Sequence, residues 1–487
     1  MKKTAALAAM YFAILLTFSP IAIAVSSNQA STSPSSDWNY IPLSIGYVVN
    51  STGTSPDGLP LCKNSRLGNI VCYSPAFVKK AYNFPPTSTL NGAGQTIVIV
   101  DAFGSPTIAS DLSLFDAVFR LPAPASFTIF CGNSPTPFDS STCPMKPLFT
   151  INDKHDVQGW AIETSLDVEY AHAMAPGANI VLDVAATSSG NAINDAEAAA
   201  IAAFPGAIFS QSFGIPEIFI KSFANNAQVM QAQENYAAGV ALGDTFFASA
   251  GDTGADFGTG VVMANFPGSD LHNTAVTGTQ GNPYNATGTL VACPTSTPFS
   301  CTSGLSAFHG PCVLGRTAPP SCVPDGYRGE QVWNEPSFGV ATGGAPSLLF
   351  GVPSYQSGLG LSARGPDVSY NAAIDGGVLV VSSILGFPAL FIVGGTSAGS
   401  PQWAGIAALA NQARALAGKG PIGDLNPVIY SIFRSASYAT DFHDITVGND
   451  QLFGTNPGYS AGAGYDLASG IGSPNVANLI TDLTAAP

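Results

Sequence analysis

Ser397 stands in the run Gly394-Gly395-Thr396-Ser397-Ala398-Gly399-Ser400-Pro401. An apolar stretch at 390–393 leads into it and another at 403–410 follows, so the serine falls in a glycine-rich turn where a buried strand gives way to a buried helix. Glycine allows a sharp bend and close approach of a second chain. A helix N-terminus favours developing negative charge, and Pro401 suits a first helical turn. These are good conditions for a nucleophile, although a plain Gly-Ser helix cap is spelled the same way. A base for such a serine is not obvious among the five histidines, His155, His172, His272, His309 and His443, none of which stands in a familiar triad context. The segment Glu163-Thr164-Ser165-Leu166-Asp167-Val168-Glu169 offers carboxyls instead. Glu163 and Asp167 are four apart, on one helical face, and no Lys or Arg occurs between Lys154 and Lys221. With Trp160, Ile162, Leu166 and Ala173 around them, they read as mostly buried rather than as a solvated acidic face. Two buried carboxyls must share a proton, which suits them to acid–base work. A carboxylate base works best near its own pKa, which implies chemistry in acid. There a further carboxyl could stay protonated and donate to an oxyanion. Asp252, in Ala248-Ser249-Ala250-Gly251-Asp252-Thr253-Gly254-Ala255, is the candidate; an Asx-turn is its ordinary alternative.

These residues need a frame that brings them together. Strands are expected over 95–101, 179–184, 207–210, 245–249 and 390–393, and helices over 76–82, 108–119, 156–173, 192–203 and 223–240. Strands alternating with helices imply right-handed crossovers and a mostly parallel, twisted sheet with helices on both faces, an α/β fold. In such sheets ligands bind beyond the carboxyl ends of the strands. Asp101, the 210–214 turn, Asp252 and Ser397 each follow a predicted strand and are therefore expected on one edge. Two Cys- and Pro-rich loop insertions interrupt the pattern, at about 121–150 and 280–330.

The chain has 487 residues, 46% hydrophobic and only 10% charged, with 31 acids against 16 bases. A net charge of −15 argues against nucleic acid or an anionic membrane as partner. Lys2 and Lys3 precede an apolar stretch ending Ala22-Ile23-Ala24, which reads as a secretory signal over 1–24 and predicts a secreted protein with no membrane contact after cleavage; an uncleaved membrane anchor is the alternative. Residues 25–60, rich in Ser, Thr, Pro and Asn, read as a flexible leader, which leaves 61–487 as the catalytic domain. Eight cysteines in near neighbours fit export: Cys62 with Cys72, Cys131 with Cys143, Cys293 with Cys301 and Cys312 with Cys322, the last four also able to pair otherwise.

The motifs resemble the sedolisins, the serine-carboxyl peptidases of subtilisin-like fold, from about Tyr73 to Pro474. Gly395-Thr396-Ser397 followed by Pro401 resembles their nucleophile motif. Glu163-x-x-Leu166-Asp167-x-Glu169, running on to Ala175-Pro176-Gly177-Ala178, resembles the acid-pair helix, and Ser249-x-Gly251-Asp252-x-Gly254 the oxyanion loop. Trp333-Asn334-Glu335 and Arg364-Gly365-Pro366-Asp367-Val368-Ser369 resemble further blocks. The resemblance implies Ser397 as nucleophile, Glu163 as its base, Asp167 as the group orienting Glu163, and Asp252 with the Ser397 N–H as oxyanion donors. It implies that Ser212, Phe213 and Gly214 form an edge pairing with substrate backbone, and that Asp101 extends the proton network. Phe213 stands where relatives often carry tryptophan, so a side-chain hydrogen bond there is lost. One calcium ion is implied, held by the carboxylates of Asp444 and Asp466 and the carbonyls of Ile445, Gly462 and Gly464, with a water. The expected activity is endopeptidase action on polypeptides by a monomer in acid; tripeptidyl-peptidase action and an inactive binding protein on the same fold are the alternatives. One departure stands out: the stretch between residue 24 and Tyr73 is far shorter than the folded propeptide typical of the family.

Overall fold

The computed structural model describes residues 38–54, 60–132, 134, 136–143, 145, 154–222, 227–280, 327, 329–454 and 456–487. The segment 1–24 and the four cysteines from Cys293 to Cys322 lie outside these residues. Among the described residues, Cys62 is bonded to Cys72 and Cys131 to Cys143, and no helix is long and apolar enough to cross a membrane.

The centre is an eight-stranded sheet. In spatial order it runs Gln331–Val332, Asn273–Gln280, Thr245–Ser249, Ile208–Gln211, Thr96–Ala102, Asn179–Ala185 and Ser126–Phe130, with Val368–Asn371 also joined to Asn273–Gln280. All neighbours are parallel except the Gln331–Val332 edge. The interior strands are apolar runs of Ile, Val and Phe, as burial on both faces requires. The helices Lys154–Met174 and Gly399–Leu416 cover one side of the sheet, where Ile97, Ile99, Ile208 and Phe247 share a core with Leu166, Trp403 and Leu409. On the other face Val98, Val100, Phe209 and Phe246 pack with Ile193, Ala196, Ala200 and Tyr236.

Three sequence expectations need correction. Residues 38–54 are not a flexible leader: Ile41–Pro42 and Ile45–Val48 are strands, and Trp38, Tyr40 and Leu43 are buried. Averaging composition over 25–60 hid the apolar residues concentrated after residue 38. The strand leading to Ser397, Ala389–Gly394, does not belong to the central sheet. It pairs antiparallel with Gly377–Ser382 and with Ile45–Val48 in a second, six-stranded sheet, because a hairpin rather than a helical crossover precedes it. The first insertion also begins later than expected, since Ser126–Phe130 is the outer strand of the central sheet.

Candidate active site

The helix Lys154–Met174 is buried on every side from Gly159 onward, so its polar side chains have to be accommodated inside the protein. Trp160, Ile162, Leu166, Val168, Tyr170 and Met174 are all buried, and so are Glu163, Asp167 and Glu169. Its hydroxyls are absorbed locally: Thr164 Oγ1 donates to Trp160 O at 2.9 Å and Ser165 Oγ to Ala161 O at 3.0 Å. Glu169 accepts the Val381 N–H at 2.9 Å and so ties the helix to the second sheet. Glu163 and Asp167 point the other way. At Gly405 a Cβ would stand 2.4 Å from Met174 Cβ, so the absent side chain is what lets the helix Gly399–Leu416 lie close against the acid-bearing helix.

Ser397 sits in the turn Thr396–Ala398 just ahead of that helix and is fully buried. Its Oγ donates to Ser212 O at 3.2 Å. The Glu163 carboxyl lies within electrostatic reach of the Ser397 and Ser44 hydroxyls, and neither of its oxygens is hydrogen-bonded to another described residue. Asp167 Oδ1 accepts from Ser212 Oγ at 2.8 Å. Asp101, at the end of the strand Thr96–Ala102, is buried within electrostatic reach of both acids, and neither of its oxygens is hydrogen-bonded to another described residue. Burial, then the nearby Asp101 charge, pushes Glu163 and Asp167 well above the ordinary carboxyl range. Burial does the same for Asp101, with Asp183 adding repulsion. Among the described residues no Lys or Arg forms an ion pair with any of them.

Asp252 approaches from the other side. Its Oδ1 accepts from Thr396 N and Thr396 Oγ1, both at 2.8 Å, and burial pushes its pKa up to about 7. Gly395 has φ 123° and leaves room that a side chain would fill: a Cβ there would stand 2.4 Å from Leu43 O and 2.5 Å from Asp252 Oδ2. Those two oxygens therefore flank one small pocket, and the Ser397 N–H donates to Leu43 O at 3.2 Å.

The strand Phe213–Pro216 pairs with the chain's own residues. Gly214 faces Ile41 and Phe213 faces Pro42, antiparallel, and Leu43 N–H donates to Ser212 O at 3.1 Å. Further out, Tyr40 N–H donates to Ser188 O and Gly190 N–H to Trp38 O, both at 2.8 Å. The Phe213 ring packs on Tyr40 and Trp160, with centroids 4.8 and 5.7 Å away.

Residues 38–44 were the part of this site that sequence reasoning missed. The signal was there, in the apolar residues Trp38, Tyr40, Ile41 and Leu43 gathered within a polar stretch. Thr396 was also passed over, although it stands beside Ser397 in the motif.

The calcium candidates lie in the C-terminal loops. Asp444 Oδ2 accepts from Gly464 N and Asp466 Oδ2 from Gly462 N, both at 2.9 Å, and Ile445 is buried beside them. Among the described residues no group of three or more His, Cys, Asp or Glu is arranged to hold a metal ion. Two carboxylates supplemented by backbone carbonyls form a hard oxygen set, which suits calcium rather than a transition metal.

A subtilisin-like α/β body in which a helix-borne carboxyl pair faces a turn-borne serine defines the class. The chain belongs to the sedolisins, the serine-carboxyl peptidase family. It is 30% identical to kumamolisin from Bacillus sp. (strain MN-32) over 415 residues, which is 82% of this chain and 62% of that protein. It is 27% identical to tripeptidyl-peptidase 1 of Mus musculus over 340 residues, 66% of this chain and 52% of that one. The chain thus spans less than two thirds of the length of these relatives. Among solved structures, a Pseudomonas sedolisin complexed with pseudo-iodotyrostatin superposes with a TM-score of 0.64 at 22% identity, over 86% of this chain and 99% of that one. No sequence-family model matches the chain.

Proposed function

We propose that the chain is a secreted serine endopeptidase that cleaves polypeptides in acid. The observation that carries this reading is the convergence of the Glu163 carboxyl and the Ser397 hydroxyl in the interior, with no Lys or Arg among the described residues paired to that carboxyl. Glu163 takes the proton as Ser397 Oγ attacks the substrate carbonyl. Asp167, fixed by Ser212, shares that proton and keeps Glu163 aimed; Asp101 extends the relay. The oxyanion forms between the Ser397 N–H and a protonated Asp252, whose pKa of about 7 keeps its proton throughout the acid range. Collapse then passes the proton from Glu163 to the departing amine, and water releases the acyl group from Ser397.

Ser212, Phe213 and Gly214 supply the backbone edge for substrate. Six residues, 38–43, lie along the cleft ahead of the Leu43 carbonyl. A cleft that accepts six residues on that side supports endopeptidase action over removal of tripeptides, which needs a closed end after three. The domain begins before residue 61, since 38–54 belong to the fold. A single calcium ion held by Asp444, Asp466 and the carbonyls of Ile445, Gly462 and Gly464 would brace the C-terminal loops and takes no part in catalysis. We assign the protein to the monomeric state and to export through residues 1–24.

The deciding experiment is digestion of an unfolded protein in acid by wild type, Ser397→Ala and Glu163→Gln. Cleavage by wild type alone is expected; equal cleavage by all three would reject the assignment.

A further inference from the structure

Trp333-Asn334-Glu335 takes no part in proton transfer to or from Ser397, yet it stands between the two halves of the oxyanion site. In an extended chain residues two apart point to the same side, and Trp333 Nε1 accordingly donates to Glu335 Oε2 at 2.8 Å. The indole is fully buried and packs with Ala372, Ala373 and Ile374, which aims the carboxyl into the turn after the strand Val368–Asn371. There Glu335 Oε2 accepts the Ile374 N–H at 2.7 Å and Oε1 the Asp375 N–H at 2.9 Å. Both carboxyl oxygens are thus engaged, and Glu335 is only 8% exposed. Removing a buried acceptor of this kind leaves its donors unsatisfied.

The turn held in this way seats the nucleophile's own turn. Gly395 N–H donates to Ala372 O at 2.7 Å. At Gly394 a Cβ would stand 2.6 Å from Ala373 O and 2.8 Å from Ala372 O, so the two backbones lie in direct contact. The other half of the site hangs from the same hairpin. Asn334–Glu335 pairs antiparallel with Val340–Ala341. Ala341 N–H donates to Asp252 O at 3.1 Å, and Gly254 N–H donates to Ala341 O at 2.9 Å. Two residues on, Gly343 N–H donates to Gly251 O at 2.7 Å. One strand of the hairpin therefore carries the loop that bears Asp252. The other, through the Glu335 carboxyl, carries the turn that leads into Ser397.

We infer that Glu335 is a positioning residue that sets the spacing between the Asp252 carboxyl and the Ser397 N–H. The inference rests on the serine-carboxyl reading above. Glu335 touches neither substrate nor the reacting atoms. It acts because the two donors must converge on an oxygen that carries charge only in the transition state, where small errors of placement are costly. Its loss is therefore felt in kcat and much less in KM.

The test compares Glu335→Gln with Asp244→Asn in the full chain. Asp244 likewise accepts two backbone N–H groups, from Gly206 at 2.6 Å and Ala207 at 3.0 Å, but it precedes the strand Thr245–Ser249, whose other end leads to Asp252. In both variants a carboxamide keeps the shape and turns a donor toward N–H groups, so both lose stability for the same reason. Measured in acid are kcat and KM on a peptide substrate, and the affinities of a peptide aldehyde and of the matching peptide amide. The aldehyde's adduct with Ser397 puts an oxygen in the oxyanion site; the amide forms no adduct. Glu335→Gln is expected to lower kcat about 10-fold or more with KM little changed, and to weaken the aldehyde in parallel while the amide binds as before. Asp244→Asn is expected to lower the thermal midpoint and keep kcat. A Glu335→Gln whose kcat matches that of Asp244→Asn, or whose KM and amide binding suffer as much as its kcat, would overturn the inference. Trp333→Phe, which removes only the donor to Glu335 Oε2, is expected to shift kcat the same way by a smaller factor. Should Glu335→Gln not fold, an unchanged kcat in Trp333→Phe would overturn the inference instead. Activity that survives Ser397→Ala would remove the peptidase reading itself, whereas activity that needs Ser397 and Asp252 but is indifferent to Glu335 removes the positioning role alone.

Discussion

Thr396 donates twice to one oxygen of Asp252, from its N–H and its hydroxyl, at 2.8 Å each. The hydroxyl in turn accepts from Gly251 N at 3.1 Å. One carboxyl oxygen is thereby fixed as an acceptor, and the other, Oδ2, is left facing the pocket with no partner. A carboxyl held this way places its proton on the free oxygen. With the pKa raised by burial to about 7, it donates below that pH and repels an oxyanion above it. Wild-type kcat is accordingly expected to fall as pH rises through about 7. Asp252→Asn keeps both an acceptor and a donor, and its pH–rate profile is expected to lose that part of the decline. Asp252→Ala is expected to lower kcat by about 10²–10³. A profile identical in wild type and Asp252→Asn would remove Asp252 from the oxyanion site.

Glu163 and Asp167 are predicted to differ in kind. Glu163→Gln cannot accept the proton of Ser397 and is expected to cost about 10²–10⁴ in kcat with little change in KM. Asp167→Asn still meets Ser212 through its amide oxygen but cannot share a proton. It is expected to cost less and to move the acid limb of the kcat profile, because the charge state of Glu163 depends on its neighbour. Steady-state kinetics across pH separates the two; an unmoved acid limb in Asp167→Asn would contradict the shared proton.

Stability is expected to decline as pH rises from acid to neutrality. Burial raises Asp101, Glu163, Asp167 and Glu197 above their unfolded values, and takes Asp183 to about 8 and Asp252 to about 7. A group whose folded pKa is raised binds its proton more tightly in the folded state. Its contribution is fully present below the unfolded pKa, about 4, and disappears as pH climbs to the folded value. The midpoint of urea unfolding, measured on Ser397→Ala to prevent self-digestion, should fall between about pH 4 and pH 8. Asp183→Asn, away from the nucleophile, should shrink the fall. A midpoint that rises over this range would contradict the burial of these acids in neutral form.

Calcium is expected to raise the thermal midpoint in proportion to the logarithm of its concentration once above its Kd. A chelator should reverse the gain, and Asp466→Ala should abolish the response while leaving the far-UV spectrum folded. Asp466 also accepts from Ala468 N, Ser469 N and Ser469 Oγ, so this variant loses some stability without metal. The informative readout is the calcium response itself. An undiminished response would place the ion elsewhere.

The gap at Gly405 gives a structural control. Gly405→Val would drive a branched side chain into Met174, where even a Cβ stands 2.4 Å from Met174 Cβ. Overpacking of this kind costs about 1–3 kcal/mol. It should also push apart the helices that carry the base and the nucleophile, so kcat should fall while the protein remains folded. Unchanged kcat would mean that the two helices adjust without moving the site.

What could be read from the sequence followed from how local each signal was. The strand Thr96–Ala102 and the helix Ile108–Phe119 were legible because their apolar periods lie within one element. Glu163, Asp167, Asp252 and Ser397 were legible because each sits in a short motif, and the structure gathers all four around one pocket. The sheet that holds Ala389–Gly394 was not legible, since an antiparallel partner and a parallel one leave the same apolar run. Nor was the placement of residues 38–43: it comes from pairing with residues at 188–190, 212–214 and 397, far away in the chain, and a six-residue stretch does not announce such partners.

Among the described residues no Lys or Arg pairs with Asp101, Glu163 or Asp167, and that has a consequence for the surroundings in which this protein would work. A cation would have held one of these carboxyls ionised at every ordinary pH. Without one, their proton count follows the medium, so the proposed chemistry is expected to answer directly to the acidity around it.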